Sequence, residues 1–125
     1  MIHLDTSFLV RALVPGSTQD RQLRGWLETA ESLGMSTVAW AEFLCGPVDP
    51  SLIDLVARIV PRRAPFTEED ASLAARLFND SGRRRGSLGD CMIAASAIHT
   101  RASLATENHR DFRRFQPAGL SLAPG

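Results

Sequence analysis

The residues best suited to chemistry in this sequence are acids in four well-separated places. Asp5 ends a short apolar run, and Glu42 lies about one helical turn beyond a second run. Asp90 falls in the first turn of the most apolar helical segment, while Asp111 and the polar Asn108 follow another apolar run. Ligands of open parallel sheets bind beyond the carboxyl ends of the strands. We therefore expect these side chains to form a site at one edge of a sheet.

A converging set of carboxylates requires a positive charge. Two carboxylates about 4 Å apart repel each other by roughly 4 kcal/mol at an effective dielectric constant near 20. Either some of them take up protons or a divalent cation lies among them. Oxygen ligands without thiolate or imidazole suit Mg²⁺ or Mn²⁺ better than Zn²⁺. The set is typical of metal-assisted phosphoryl chemistry.

Each acid taken alone also has a structural interpretation. Asp5 is a candidate helix N-cap, and Asp90 has the spacing of a capping box with Ser87. Glu42 is explained as a solvated helical residue, and Asp111 as a turn residue. The functional interpretation depends on the four acids as a set.

Composition excludes several classes of protein. The chain has 125 residues, 44% of them hydrophobic and 22% charged, with zero formal net charge. We expect one globular domain over residues 1–125, with no membrane span or signal peptide and a cytoplasmic location. The absence of lysine excludes Walker-A loops and pyridoxal Schiff bases. Cys45 and Cys91 match no disulfide or zinc pattern and are interpreted as buried small hydrophobic residues.

Apolar periodicity predicts alternating short strands and helices. Strands are expected at 2–5, 35–38, 64–66, 103–106 and 119–122. Helices are expected at 8–13, 20–33 with Gly34 as the C-cap, 40–45, 52–59, 67–78 and 88–98, with a polar turn or short helix at 110–115 and a basic loop at 81–87. Such alternation favours a parallel α/β sheet covered on both faces.

Four motifs occur in the order and spacing of PIN domains. They are Leu4 to Ser7, Ala41 to Phe43, Gly89 to Ala95 and Ala105 to Phe112. Over essentially its whole length the chain resembles this family, and within it the VapC-type toxin ribonucleases of bacterial toxin-antitoxin pairs. The resemblance implies a three-layer α/β/α fold with a mostly parallel central sheet. It also implies a Mg²⁺-dependent endoribonuclease that is inhibited by a cognate VapB-type antitoxin, commonly forms a homodimer and leaves 5′-phosphate and 3′-hydroxyl ends.

Carried over position by position, the family's acidic triad falls on Asp5, Glu42 and Asp90. The fourth position falls on Asn108, where relatives often have Asp, so either Asn108 or Asp111 completes the site. Our hypothesis is that Asp5 and Asp90 hold the metal directly, with Glu42 and Asp111 acting directly or through water. Through the same motif, the hydroxyl of Thr6 is a candidate for orienting metal-bound water.

Basic residues flank two of the acids. An acidic pocket repels RNA, and guanidinium groups grip phosphate oxygens. Candidate RNA contacts, which as a charge run could equally be a solvated face, are Arg83, Arg84, Arg85, Arg110, Arg113 and Arg114.

The histidines and two helices have weaker functional indications. His3 shares a strand face with Asp5 and is expected to be a hydrogen-bonded structural residue, with a supporting role at the site as the alternative. His109 could approach the pocket, and His99 is expected at a helix C-terminus. The helix with Leu23, Trp26 and Leu27 and the helix at 52–59 are candidates for an antitoxin groove or dimer surface, or for ordinary core.

Two other functions compete with the nuclease. One is a catalytically inactive PIN-like module that binds RNA or protein, and a Mg²⁺-dependent affinity separates it from an enzyme. The other is an aspartate-nucleophile phosphatase, which needs an Asp-x-Asp motif and a later lysine. The chain has Asp5-Thr6-Ser7 and no lysine, which disfavours the phosphatase.

Overall fold

Five strands and seven α-helices are present in the part of the chain that the structure, a computed structural model, describes: residues 1–124. Their bounds are β1 Ile2–Leu4, α1 Thr6–Ala12, α2 Thr18–Glu28, β2 Leu33–Ser36, α3 Thr37–Cys45, α4 Pro50–Ile59, β3 Arg62–Ala64, α5 Glu68–Asp80, α6 Leu88–His99, β4 Ser103–Ala105, α7 His109–Phe112 and β5 Ser121–Leu122, with a 3₁₀ helix at Arg113–Ala118.

The strands form one parallel sheet in the order β3-β2-β1-β4-β5. The chain runs outward from β1 to β2 and β3, then returns to pair β4 with the other side of β1. The strand order thus reverses between β1 and β4, where open α/β sheets form their ligand crevices. The predicted α/β fold with a parallel central sheet is confirmed.

The central strands and α6 form the core. Leu4, Met35 and Leu104, from three adjacent strands, have no exposed surface. Helix α6 is buried from Ile93 to Ala97 and packs along α5, as its apolar character on all sides predicts. No helix within residues 1–124 combines the length and apolar character needed to cross a bilayer.

The boundary between α2 and β2 differs from the prediction. Helix α2 ends at Glu28, not at residue 33, and Gly34 is a residue of β2 and not a helix C-cap. A Cβ at Gly34 would lie 3.0 Å from the carbonyl oxygen of Arg62 and 3.3 Å from the His3 ring. Glycine therefore allows β1, β2 and β3 to approach closely at this point.

Two segments have the spacing of a capping box, and only one of them forms it. Thr67 and Asp70 form one at the start of α5, because the Thr67 hydroxyl accepts from the Asp70 N–H and the Asp70 carboxylate accepts from the Thr67 N–H. Ser87 does not cap α6, since its hydroxyl donates to the Arg84 carbonyl at 2.6 Å. The capping-box interpretation of Asp90 is therefore wrong, and its carboxylate is left for another use.

The two cysteines also differ. Cys91 is buried, as predicted, whereas Cys45 is exposed at the last residue of α3. The prediction for Cys45 is wrong because α3 turns only part of its circumference toward the core, at Ala39 and Phe43.

Candidate functional site

Asp5 is held by three donors at the carboxyl end of β1. Its Oδ1 accepts from the Thr6 N–H at 2.9 Å, which makes Asp5 the N-cap of α1. Its Oδ2 accepts from the hydroxyls of Ser7 and Thr106, each at 2.7 Å. The residue is only 4% exposed. The N-cap interpretation is correct, and the cap also fixes this carboxylate at the switch point of the sheet.

Ser7 and Thr106 join the segments that follow β1 and β4. Their hydroxyl oxygens lie 3.2 Å apart. Ser7 Oγ accepts from the Glu107 N–H at 3.1 Å, and Thr106 Oγ1 accepts from the Asn108 N–H at 3.0 Å. Sequence reasoning missed both residues as partners of Asp5. The available signal was that each is a small hydroxyl residue at or just beyond the end of a predicted strand.

Glu42 reaches the site from α3 and remains accessible to solvent. The Thr6 hydroxyl donates to the Ala39 carbonyl at 2.9 Å and lies 3.3 Å from Glu42 Oε1. A Cβ at Gly89 would lie 3.7 Å from Glu42 Oε2, so the start of α6 lies against this carboxylate. Partial burial raises the pKa of Glu42, and the charges of Asp5 and Asp90 raise it further, while the hydrogen bond from Thr6 lowers it.

Asp90 enters from the first turn of α6 and is partly buried. Burial raises the pKa of Asp90, and the neighbouring charges of Asp5 and Asp111 raise it further. Arg114 and Arg84 act in the opposite direction. Both Asp90 and Glu42 are therefore less stable as anions here than in water, because they are partly buried and lie close to other acids.

Asp111 is at the rim of the site. It accepts from Arg84 at 3.2 Å, with 35% of the Asp111 side chain and 60% of the Arg84 side chain exposed. Asn108 is exposed at the N-terminus of α7, where its side chain makes no cap hydrogen bond. Asp111 is near enough to raise the pKa of Asp90.

The donor set fits a hydrated hard cation and not a closed metal cage. Within residues 1–124, no three His, Cys, Asp or Glu side chains are arranged to hold a metal ion by themselves. Mg²⁺ usually binds through one or two carboxylates and keeps several waters. Burial and neighbouring carboxylates raise the pKa values of Glu42 and Asp90, and a bound cation would offset the cost of keeping both ionised.

The six candidate arginines fall into three groups. Arg114 points inward: its guanidinium packs over the Phe115 ring at 4.7 Å, and its Nε and Nη2 atoms are buried without a partner in the described chain. Arg84 is paired with Asp111. The other four, Arg83, Arg85, Arg110 and Arg113, are exposed.

The histidines have distinct environments. His3 is 2% exposed, and burial together with the N-terminal charge lowers its pKa to about 4. Its Nε2 lies 3.5 Å from the Thr100 hydroxyl, while its buried Nδ1 has no partner among residues 1–124, so the expected full hydrogen bonding is wrong. His99 ends α6, as predicted, and its Nδ1 lies 2.8 Å from the buried carboxylate of Asp70.

The Asp5 carboxylate lies at the switch point of a parallel sheet, where α/β proteins with open sheets bind their ligands. The profile of the PIN domain matches residues 2–116, and the chain belongs to this family. No curated protein sequence matches the chain significantly.

Three solved structures show the same fold. VapBC2 from Rickettsia felis bound to a promoter DNA fragment is 22% identical, with a TM-score of 0.76 and 98% of each chain covered. VapBC-1 from nontypeable Haemophilus influenzae is 23% identical, with a TM-score of 0.73 and coverage of 98% of this chain and 97% of that one. FitAcB from Neisseria gonorrhoeae is 20% identical, with a TM-score of 0.72 and coverage of 99% and 97%.

Proposed function

We propose that this chain is a Mg²⁺-dependent endoribonuclease and the toxin component of a VapBC-type toxin-antitoxin pair, acting in the cytoplasm. The observation that carries the proposal is the approach of acids from distant parts of the chain, Asp5, Glu42, Asp90 and Asp111, at one edge of the sheet. Burial and the charges of the neighbouring acids raise the pKa of two of them, Glu42 and Asp90. Membership of the PIN family and the similarity to VapBC structures support it.

Asp5 and Asp90 would hold the metal, with Glu42 and Asp111 contributing directly or through water, and Mn²⁺ would substitute for Mg²⁺. When bound, the ion acidifies a water molecule and neutralises charge on the scissile phosphate. Asp5 is the fixed member, because three donors hold its carboxylate. Glu42 has a raised pKa and an accessible carboxylate, which suits it to accept the proton of the attacking water.

RNA would approach over the arginine-rich loop that precedes α6. Arg83 and Arg85 are exposed there beside Arg84. Each phosphate contact contributes a counterion-release term, so neutralising these arginines should flatten the dependence of RNA affinity on salt. An unchanged slope in the Arg83→Gln/Arg85→Gln double variant would remove this loop from the RNA-binding surface.

Cleavage of single-stranded RNA by purified protein, with Mg²⁺ and with chelator, tests the activity. We expect the wild type to produce 5′-phosphate ends only with the metal, and Asp90→Asn to produce none. Glu31→Gln is the matched control, since it also removes one negative charge but lies just before β2, away from the site. Cleavage by Asp90→Asn at the wild-type rate would overturn the assignment.

Calorimetric titration with Mg²⁺ separates an enzyme from an inactive binding module. The wild type and Glu31→Gln should bind the ion alike, and Asp90→Asn should bind it at least tenfold more weakly, because a carboxylate ligand is lost. Equal, negligible heats for all three proteins, together with RNA binding, would favour the inactive module.

The antitoxin is proposed to occupy an apolar groove between α2 and α4. The groove has a volume of about 360 Å³ and is lined by residues of both helices, including Leu23, Leu27, Leu52 and Leu55. Leu27 and Leu55 are 43% and 38% exposed, so an apolar partner would gain from covering them. Homodimer formation stays a prediction of the family resemblance. Leu27→Asp should weaken antitoxin binding and leave RNA cleavage unchanged.

A further inference from the structure

A cavity of about 270 Å³ adjoins the acidic site and is not used by the proposed mechanism. Its walls come from the segment after β4, from α2 and from the start of α7, and they include Gln19, Gln22, Thr106, Glu107 and His109. Thr106 belongs to both sites, because its hydroxyl holds the Asp5 carboxylate. Whatever fills the cavity therefore lies next to the proposed point of cleavage.

The polar groups of this cavity are oriented by hydrogen bonds. Gln19 Nε2 donates to Glu107 Oε1 at 2.8 Å, and Gln22 Nε2 donates to the Pro124 carbonyl. Both partners can only accept, so the amide nitrogens of the glutamines are fixed as the donors. The amide oxygens of Gln19 and Gln22 and the second carboxylate oxygen of Glu107 remain as acceptors. The cavity is thus rich in acceptors and suits a ligand edge that carries N–H groups.

We propose that this cavity receives the base of a nucleotide adjacent to the scissile phosphate, and that guanine is the base it prefers; the inference rests on the proposed ribonuclease function. Proteins read single-stranded RNA by hydrogen bonds to the edges of unstacked bases and by stacking on planar side chains. Guanine presents two adjacent N–H donors, N1–H and N2–H. They match the two oxygens of the Glu107 carboxylate, one of which is free while the other also accepts from Gln19 and keeps a second lone pair. His109 lines the same cavity, and its planar ring is a candidate for stacking on the base.

The same chemistry disfavours uracil. Its Watson–Crick edge has one N–H between two carbonyl oxygens, and these oxygens would face the acceptors of Glu107 and Gln19. Adenine and cytosine each present one exocyclic amine and are intermediate. The ranking follows from the donor pattern alone and is open to direct measurement.

The first test is the base preference of cleavage. Wild-type protein is incubated with a library of randomised single-stranded RNA, and the new 5′ ends are sequenced. We expect guanine to be enriched at one fixed position beside the cut, and Glu107→Gln to reduce that enrichment about tenfold, the size of a lost bidentate base contact. Glu31→Gln is the charge-matched control and should keep the wild-type preference. Cutting without a base preference beside the cut, or an unchanged preference in Glu107→Gln, would overturn the guanine site.

The second test is independent of cleavage. The Asp90→Asn protein is titrated with guanosine 5′-monophosphate and with uridine 5′-monophosphate while the side-chain amide resonances are followed by NMR. Guanosine monophosphate should shift the signals of Gln19 and Gln22 and leave that of Gln116, which lies outside the cavity, in place. No shift at Gln19 and Gln22, or equal shifts with both nucleotides, contradicts the proposal. Selective shifts in a protein whose wild type does not cut RNA would retain the nucleotide site and reject the nuclease.

Discussion

Replacing Thr106 by valine tests whether the hydroxyl network organises the acidic site. Thr106 is 2% exposed, and its hydroxyl donates to Asp5 Oδ2 at 2.7 Å. The same oxygen accepts from the Asn108 N–H at 3.0 Å. The Thr106 hydroxyl also lies 3.2 Å from that of Ser7. Valine has nearly the same shape, so Thr106→Val removes these three contacts without leaving a large cavity. The change isolates hydrogen bonding from packing.

The magnitude follows from the charge of the acceptor. A hydrogen bond to a charged group contributes about 1.5–3 kcal/mol to stability. The Asn108 N–H belongs to an exposed residue, and water can replace its lost partner. We therefore expect Thr106→Val to lower the free energy of unfolding by about 2 kcal/mol, nearly all of it through Asp5.

A double-mutant cycle with Asp5→Asn separates this bond from the other consequences of the substitution. Urea denaturation of the wild type, both single variants and the double variant gives the coupling energy between the two side chains. We expect a coupling of about 1–2 kcal/mol. Thr106→Ser keeps the hydroxyl and should lose only the contribution of one methyl group, about 1 kcal/mol. If Thr106→Val costs as much in the Asp5→Asn background as in the wild type, the assignment of Thr106 as a holder of this carboxylate is refuted.

Three further variants test other charged groups of the fold. His3 has a pKa of about 4 in the folded protein and 6.5 in the unfolded chain, so the unfolded chain takes up the proton first as the pH falls. The free energy of unfolding should therefore fall by up to about 3 kcal/mol between pH 6.5 and pH 4. His3→Gln should lack this loss in urea denaturation measured at a series of pH values. The pKa of Asp90 is raised in the folded protein, so above that pKa its ionised form opposes folding. Asp90→Asn should therefore raise the melting temperature at pH 7 in the absence of metal. The gain should vanish as the pH falls through that pKa. Asp70 is 2% exposed and accepts from Thr67 and His99, so Asp70→Ala should cost about 2–3 kcal/mol in the free energy of unfolding.

For each of these three variants, one result would contradict the prediction. Parallel pH profiles of the wild type and His3→Gln would show that His3 titrates normally in the folded protein. A lower melting temperature of Asp90→Asn in chelator would mean that the carboxylate stabilises the apo fold. For Asp70, a cost no larger than that of His99→Gln would place the stabilising role in its contact with the half-exposed His99 side chain, which is expected to contribute under about 1 kcal/mol.

Local sequence patterns were sufficient to predict the order of the elements. Apolar alternation and capping residues place every strand within two residues of its position in the structure. The main error, the extension of α2 to residue 33, arose because Gly34 was interpreted as a helix C-cap. Its role depends on the β3 backbone, whose carbonyl lies 3.0 Å from where its Cβ would be. That contact joins segments far apart in sequence and has no local signature.

For the candidate site, the sequence allowed us to propose the acids but not the groups that hold them. Its acids were proposed because they lie close after predicted strands or in the first turn of a helix, where parallel sheets bind their ligands. The partners of Asp5 were not, since Ser7 and Thr106 lie 99 positions apart and either one alone is an ordinary turn or cap residue. The inward orientation of Arg114 was equally hidden, because its neighbours in the sequence favour a solvated basic face. Pattern thus indicates which residues are chemically unusual, and only the fold shows which groups they contact.

The acids of the site differ in how well the protein stabilises their negative charge. Asp5 is satisfied by three donors before any ligand arrives, whereas burial and the neighbouring acids raise the pKa values of Asp90 and Glu42. A cation would therefore gain little by reorganising Asp5 and much by offsetting the charge of the other two. Metal affinity should consequently fall as the pH falls, because the ion must displace the protons that Asp90 and Glu42 take up from a site that is already assembled. A metal affinity that stays the same as those two carboxylates take up protons would be incompatible with that order of events.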